Sequence, residues 1–103
     1  MDTFFRIQIE EAQQKLRSSN ALFIDVRDYL SHTEGHIEPS FHMDQNNINT
    51  LIKQTPKERP LIVYCYHGHS SQLAAQFLVE SGFSEVYNLE GGYEAWARAF
   101  KAP

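Results

Sequence analysis

Cysteine occurs once in the 103 residues, at position 65, which excludes an intrachain disulfide. Any thiol–disulfide chemistry would take its resolving thiol from another molecule, and a lone free thiol suits a reducing compartment. A surplus of basic charge is also missing. Nine Lys and Arg stand against 13 Asp and Glu, a net of −4, and no basic run or basic helix stands out. The footprint of a phosphate-backbone or membrane-surface binder is lacking, so no nucleic-acid partner is expected. Long apolar stretches are absent too, with nothing approaching the roughly 18 residues of a membrane span. Met1-Asp-Thr-Phe-Phe-Arg6 carries no basic region leading into an apolar segment. These absences point to a cytoplasmic protein without a membrane partner. No internal repeat, low-complexity tract or linker interrupts the chain.

What the chain does contain is 42% hydrophobic and 13% aromatic residues, enough to bury one core. A single domain over 1–103 is expected. Ala21-Leu-Phe-Ile-Asp-Val26 and Leu61-Ile-Val-Tyr64 are uninterrupted apolar runs of the kind found in strands buried on both faces of a parallel sheet. Val86-Tyr87 and a piece near Phe41 offer further short strands. Helical spacing joins Ile9, Ala12 and Leu16, then Ile48, Leu51 and Ile52 up to Thr55-Pro56. It returns in Leu73, Ala74, Phe77 and Leu78 as far as Ser81, and in Tyr93, Trp96 and Phe100. Gly82 reads as a C-terminal cap, with Phe83 folding back onto Leu78. Alternating strands and helices predict an α/β sandwich with helices on both faces of a mainly parallel sheet.

Cys65 falls between the second apolar run and the third helical pattern, beyond the carboxyl end of a strand, where ligands bind on such sheets. Successive amides in a strand-to-helix loop, together with the helix N-terminus, form a positively polarised cup that lowers a thiol pKa and binds anions. Gly68 lets the loop curl, and Ser70 or Ser71 suits the N-cap. Cys65 is therefore the candidate nucleophile, with Tyr66, His67, Gly68, His69, Ser70 and Ser71 as the substrate-binding loop. Tyr66 is placed to help dock a partner.

His67 and His69 complete a C-x-H-x-H pattern, but it supplies three ligands at most and lacks the paired spacings of zinc sites, so no metal is assigned. A protonated imidazole there would instead draw an anion toward a negatively charged protein. The sixth residue after Cys65 is Ser71. A cysteine-dependent phosphatase loop, C-x-x-x-x-x-R, needs arginine there to clamp the equatorial oxygens, so phosphoryl chemistry is disfavoured. Asp25 and Arg27 lie at the end of the neighbouring strand as possible supporting groups. Pairing with each other, or bracing loops, is the better expectation. His36 reads as the anchor of a turn, Tyr93 and Trp96 as core, and Gly91-Gly92 as a tight approach of backbone to the sheet.

Four landmarks in order carry a family resemblance over nearly the whole chain. They are Asp25-Val-Arg27, Glu34-Gly-His-Ile37, the loop Cys65 to Ser71, and Gly91-Gly-Tyr-Glu-Ala-Trp96. Together they resemble the D-x-R element, the G-H-I element, the active-site loop and the carboxyl-terminal G-G-x-x-A-W motif of the rhodanese family. Cys-Tyr-His-Gly followed by Ser-Ser is most similar to single-domain bacterial thiosulfate sulfurtransferases of the GlpE type, although His69 stands where a smaller polar residue is usual. The resemblance implies a three-layer rhodanese-like sandwich and a sulfurtransferase. Its Cys65 would take the outer sulfur of thiosulfate as a persulfide and pass it to cyanide or to a thiol such as thioredoxin or glutathione. No cofactor is implied, because the protein itself carries the sulfur. The alternative from another class is a sulfur-relay or regulatory module, loaded by a partner protein and not turning over thiosulfate.

Overall fold

The computed structural model describes residues 3–100; Met1, Asp2 and residues 101–103, the ends of the expected 1–103 domain, lie outside the described residues. The elements run in strict alternation: β1 (Phe5–Ile7), α1 (Ile9–Ser18), β2 (Leu22–Asp25), α2 (Tyr29–Glu34), β3 (Phe41–His42), α3 (Ile48–Gln54), β4 (Leu61–Tyr64), α4 (Ser71–Glu80), β5 (Val86–Leu89) and α5 (Gly92–Phe100). The strands form one sheet in the order β1-β5-β4-β2-β3, and every neighbouring pair is parallel.

β4 is flanked by β2 and β5, and all four of its residues are buried. Its side chains alternate between two cores because successive Cβ atoms point to opposite faces. Ile62 and Tyr64 join Phe23 of β2, Ala12 of α1 and Trp96 of α5 on one face. Leu61 and Val63 join Ile24 of β2, Leu51 of α3 and Ala75 and Leu78 of α4 on the other. This is the three-layer α/β sandwich that the apolar runs predict.

Three local features differ from the sequence reading. β1 has only three residues, two of them exposed, and Arg6 breaks its apolar character, so no strand periodicity marks it. α2 buries no residue and has no apolar stripe; it is started by Asp28, whose side chain accepts from the Ser31 amide at 2.8 Å. In α4 the buried face is Ser71, Ala75 and Leu78, small residues that let the helix lie close to the sheet. Leu73 and Phe77 fall on the opposite side, 83% and 46% exposed. Gly82 does follow the helix with φ +106°, and Phe83 returns to donate its amide to the Leu78 carbonyl and packs in the same core.

The chain leaves β4 through α4 toward β5 and leaves β2 through α2 toward β3, in opposite directions along the sheet. The two exits part beyond the carboxyl ends of β2 and β4, where a crevice forms at such a switch point. Asp25 and Cys65 stand on its two sides.

Candidate active site

Cys65 follows β4 directly and lies six residues before α4 begins its first turn at Ser71. Its residue is only 4% exposed, at the floor of a pocket of about 300 Å³ lined by Tyr66, His67, His69 and Ser70. The sulfur receives the Gly68 amide at 3.1 Å and the Ser71 amide at 3.3 Å, and the thiol donates to the Ser71 hydroxyl at 3.2 Å. Ser70 holds the N-cap position without a side-chain cap, and the Ser71 hydroxyl turns to the sulfur's surroundings instead of the helix end.

The loop's carbonyls are engaged away from the sulfur. Cys65 and Tyr66 carbonyls accept the amides of Tyr93 and Glu94, at 2.8 and 3.0 Å, from the first turn of α5. The Gly68 carbonyl accepts from Gln72 Nε2 at 3.1 Å and from Asn88 Nδ2 at 3.0 Å. Anchoring carbonyls outward leaves amides facing inward, the arrangement that stabilises an anion in a loop. Gly91 and Gly92 make this possible. The tight approach expected of them to the sheet is instead to the loop that follows β4: a Cβ on Gly92 would lie 2.5 Å from the Tyr66 carbonyl oxygen and 2.6 Å from that of Cys65. Gly68 completes the contact, with φ +96° and a Cβ position 3.0 Å from the Gly91 nitrogen.

Burial pushes the Cys65 thiol up, but the hydroxyls of Ser70 and Ser71 and the amides of Ser71 and Gly68 more than offset it. The net result is a pKa of about 7, down from 9.0. Since the thiolate is the reactive form, alkylation by iodoacetamide is expected to speed up as pH rises, reach half its maximum near pH 7, and level off above it. A midpoint at or above 9 would show that the loop does not stabilise the anion.

The partners expected of Asp25 and Arg27 are each other. Arg27 donates from Nε and Nη2 to the Asp25 carboxylate, at 3.0 and 2.7 Å, and from Nη2 to the Gly35 carbonyl at 2.6 Å. His32 Nδ1 sits 2.8 Å from the same carboxylate. Burial pushes the Asp25 carboxyl up, yet the Arg27 guanidinium and amide and His32 outweigh it and hold the group below its ordinary value. The guanidinium also stacks 4.3 Å from the Tyr93 ring centroid, tying β2 to α5. With side chains 0% and 7% exposed, this pair is a brace for the crevice wall. Arg27→Ala would strand a buried carboxylate, and urea unfolding is expected to show a loss of about 3–5 kcal/mol.

Among the remaining sequence candidates, His36 does anchor a turn, with Nδ1 2.7 Å from the His32 carbonyl and Nε2 2.8 Å from Glu38. His67 stands 3.0 Å from the Glu94 carboxylate, so a neighbouring acid offsets any positive charge it brings. His69 lines the pocket mouth. Tyr66 is half exposed between this pocket and a second one, of about 340 Å³, bordered by Arg27, Gly35 and Tyr93. Asn88 and Gln72 are site residues that sequence reading passed over. For Asn88 a signal existed: an amide inside Val86-Tyr-Asn-Leu89, in an apolar strand, must find partners when buried.

The molecule is an α/β domain whose parallel sheet presents a cysteine loop at its carboxyl edge, with the sulfur held by main-chain amides. The chain belongs to the rhodanese-like domain family, whose model matches residues 8–99. Solved structures agree on the fold. A rhodanese-related protein from Thermoplasma volcanium is 22% identical, with 94% of each chain covered and a TM-score of 0.80. A rhodanese-like domain protein from Staphylococcus aureus is 24% identical, covering 90% of this chain and 91% of its own, with a TM-score of 0.78. A third is a Rhodopseudomonas palustris protein described as of unknown function, a possible tyrosine phosphatase. It is 27% identical, with 97% of this chain and 83% of the other covered and a TM-score of 0.78.

Proposed function

We propose that the protein is a sulfurtransferase that moves a sulfane sulfur from thiosulfate to a thiophilic acceptor through a persulfide on Cys65. The observation that carries this reading is the buried sulfur held by two amides and a hydroxyl at the start of α4, with a pKa of about 7. The Cys65 thiolate attacks the outer sulfur of thiosulfate; a new S–S bond forms and the old one breaks with its electron pair leaving on sulfite. A nucleophilic acceptor then attacks the terminal sulfur of the persulfide and returns Cys65 as thiolate. With cyanide the product is thiocyanate. With a dithiol such as thioredoxin, or with glutathione, the sulfur leaves first as an acceptor persulfide. Tyr66 to Ser71 bind the anion, and the amides that face the sulfur stabilise each anionic state in turn. No separate general base is needed, because the loop already favours the thiolate.

Phosphoryl transfer fits the site less well. Ser71 occupies the place of a phosphatase arginine, and Arg27, across the crevice, is committed to Asp25 and Gly35.

Intact mass measurement of the reduced protein, before and after thiosulfate and then after cyanide or a dithiol, tests the proposal. The expected result is a gain of one sulfur atom that the acceptor removes. Failure of the folded, reduced protein to load from thiosulfate would overturn it in favour of a relay module loaded by a protein donor.

A further inference from the structure

Asn88 reaches the Cys65 loop from the end of β5, and both its amide protons and its oxygen are engaged. Nδ2 donates to the Gly68 carbonyl and to the Glu90 carboxylate, each at 3.0 Å. Both partners can only accept, which fixes the orientation of the side-chain amide. Oδ1 therefore faces the Ser71 hydroxyl, 2.5 Å away, and that hydroxyl must donate to it. Its proton thus committed, Ser71 offers only a lone pair to Cys65 and accepts the S–H at 3.2 Å. Ser71 and Asn88 are both fully buried, so bulk solvent does not compete for these bonds.

This orientation of the Ser71 hydroxyl suits a thiol, whereas the thiolate that the Gly68 and Ser71 amides favour calls for the opposite one. Once the sulfur loses its proton, the lone pair of Ser71 opposes a negative charge at the same distance. A turn of the hydroxyl about its Cβ–Oγ bond exchanges a neutral hydrogen bond to Asn88 for a charge-assisted one to sulfur. Asn88 meanwhile keeps Gly68 in place through its carbonyl, so the Gly68 amide stays on the sulfur.

The structure assigns Asn88 the role of a positioning residue: it accepts the hydrogen bond of the Ser71 hydroxyl while Cys65 is a thiol and gives that bond up when Cys65 becomes an anion, so that the hydroxyl, keeping its proton, donates to the sulfur. The assignment rests on Cys65 acting as an ionising nucleophile, as proposed above. Asn88 acts on the sulfur through Ser71 and Gly68.

The test follows the side-chain carbonyl carbon and amide nitrogen of Asn88 by NMR in the full-length, reduced, isotope-labelled protein, alongside the Cβ of Cys65, as pH passes through about 7. In wild type the Asn88 signals are expected to move with the Cys65 midpoint, because Oδ1 loses its donor there. In Ser71→Ala the Cys65 midpoint rises by about one pH unit, from the lost donor to the thiolate. The Asn88 response loses most of its amplitude in that variant. Ser71→Thr, which retains a hydroxyl, keeps it. Asn88 signals that stay flat through the wild-type midpoint would overturn the assignment, as would an undiminished response in Ser71→Ala, which reports only the field of the charge. Flat wild-type signals overturn the assignment even if a variant fails to fold. Sulfur loading is read separately by mass. Loading with flat Asn88 signals removes the positioning role alone, whereas a co-titrating Asn88 without loading removes the thiosulfate reaction alone.

Discussion

Cys65→Ser is expected to lower sulfur transfer from thiosulfate to cyanide by about 10³-fold or more, while leaving the fold intact. The oxygen is smaller than the sulfur, but the Gly68 and Ser71 amides that now reach the sulfur at 3.1 and 3.3 Å can still donate to it. The failure is chemical. A serine hydroxyl stays protonated at neutral pH, and an alkoxide is a poor nucleophile toward divalent sulfur, so no covalent carrier forms. A carrier is what divides the transfer into two displacement steps, each with its own leaving group. Initial rates with thiosulfate and cyanide, with circular dichroism as the control for folding, make the measurement. Transfer within tenfold of wild type would mean that the sulfur never resides on Cys65.

The second large effect is expected far from Cys65 in sequence. Gly92→Ala should destabilise the protein by about 3–4 kcal/mol, combining overpacking against backbone with a left-handed φ. At φ +62° an L side chain is strained whatever the space, and the added Cβ would press on the Tyr66 and Cys65 carbonyls at 2.5 and 2.6 Å. Those atoms belong to main chain and cannot swing aside as a side chain would. Relief requires α5 and the Cys65 loop to separate, which breaks the hydrogen bonds from the Tyr93 and Glu94 amides. The loop amides then lose their alignment, so the Cys65 alkylation midpoint should rise along with the loss of stability. Urea unfolding and the alkylation pH profile give the two readings. A loss under about 1 kcal/mol would show that this contact gives way more easily than its geometry indicates.

Much of the architecture was legible because it is written in local pattern. Ala21–Val26 and Leu61–Tyr64 read as buried strands since each lies between neighbours and beneath helices, so neither face needs polar residues. β1 and α2 were illegible for the complementary reason: they bury so little that no period is imposed on them. Leu73 and Phe77 show a further limit. Their spacing marks a helix, yet the face that packs is the one with Ser71 and Ala75, because closeness to the sheet selects small residues there.

For the site, sequence alone determined that the lone thiol would stand at a strand end just before a helix, since apolar run, cysteine, glycine and serines follow one another within a few residues. It also located glycines where backbone must approach backbone. Tertiary structure alone decided what each of those groups meets. The strand order brings the end of β5 beside β4, so Asn88 meets Gly68 and Ser71 across sequence separations of 20 and 17 residues. The same order sets Gly92 against Cys65 and Tyr66, and the arm of Arg27 against Gly35 and Tyr93. Periodicity records which face of an element is buried, but a hydrogen bond needs two atoms placed within tenths of an ångström. Only the packed sheet and its helices impose that placement.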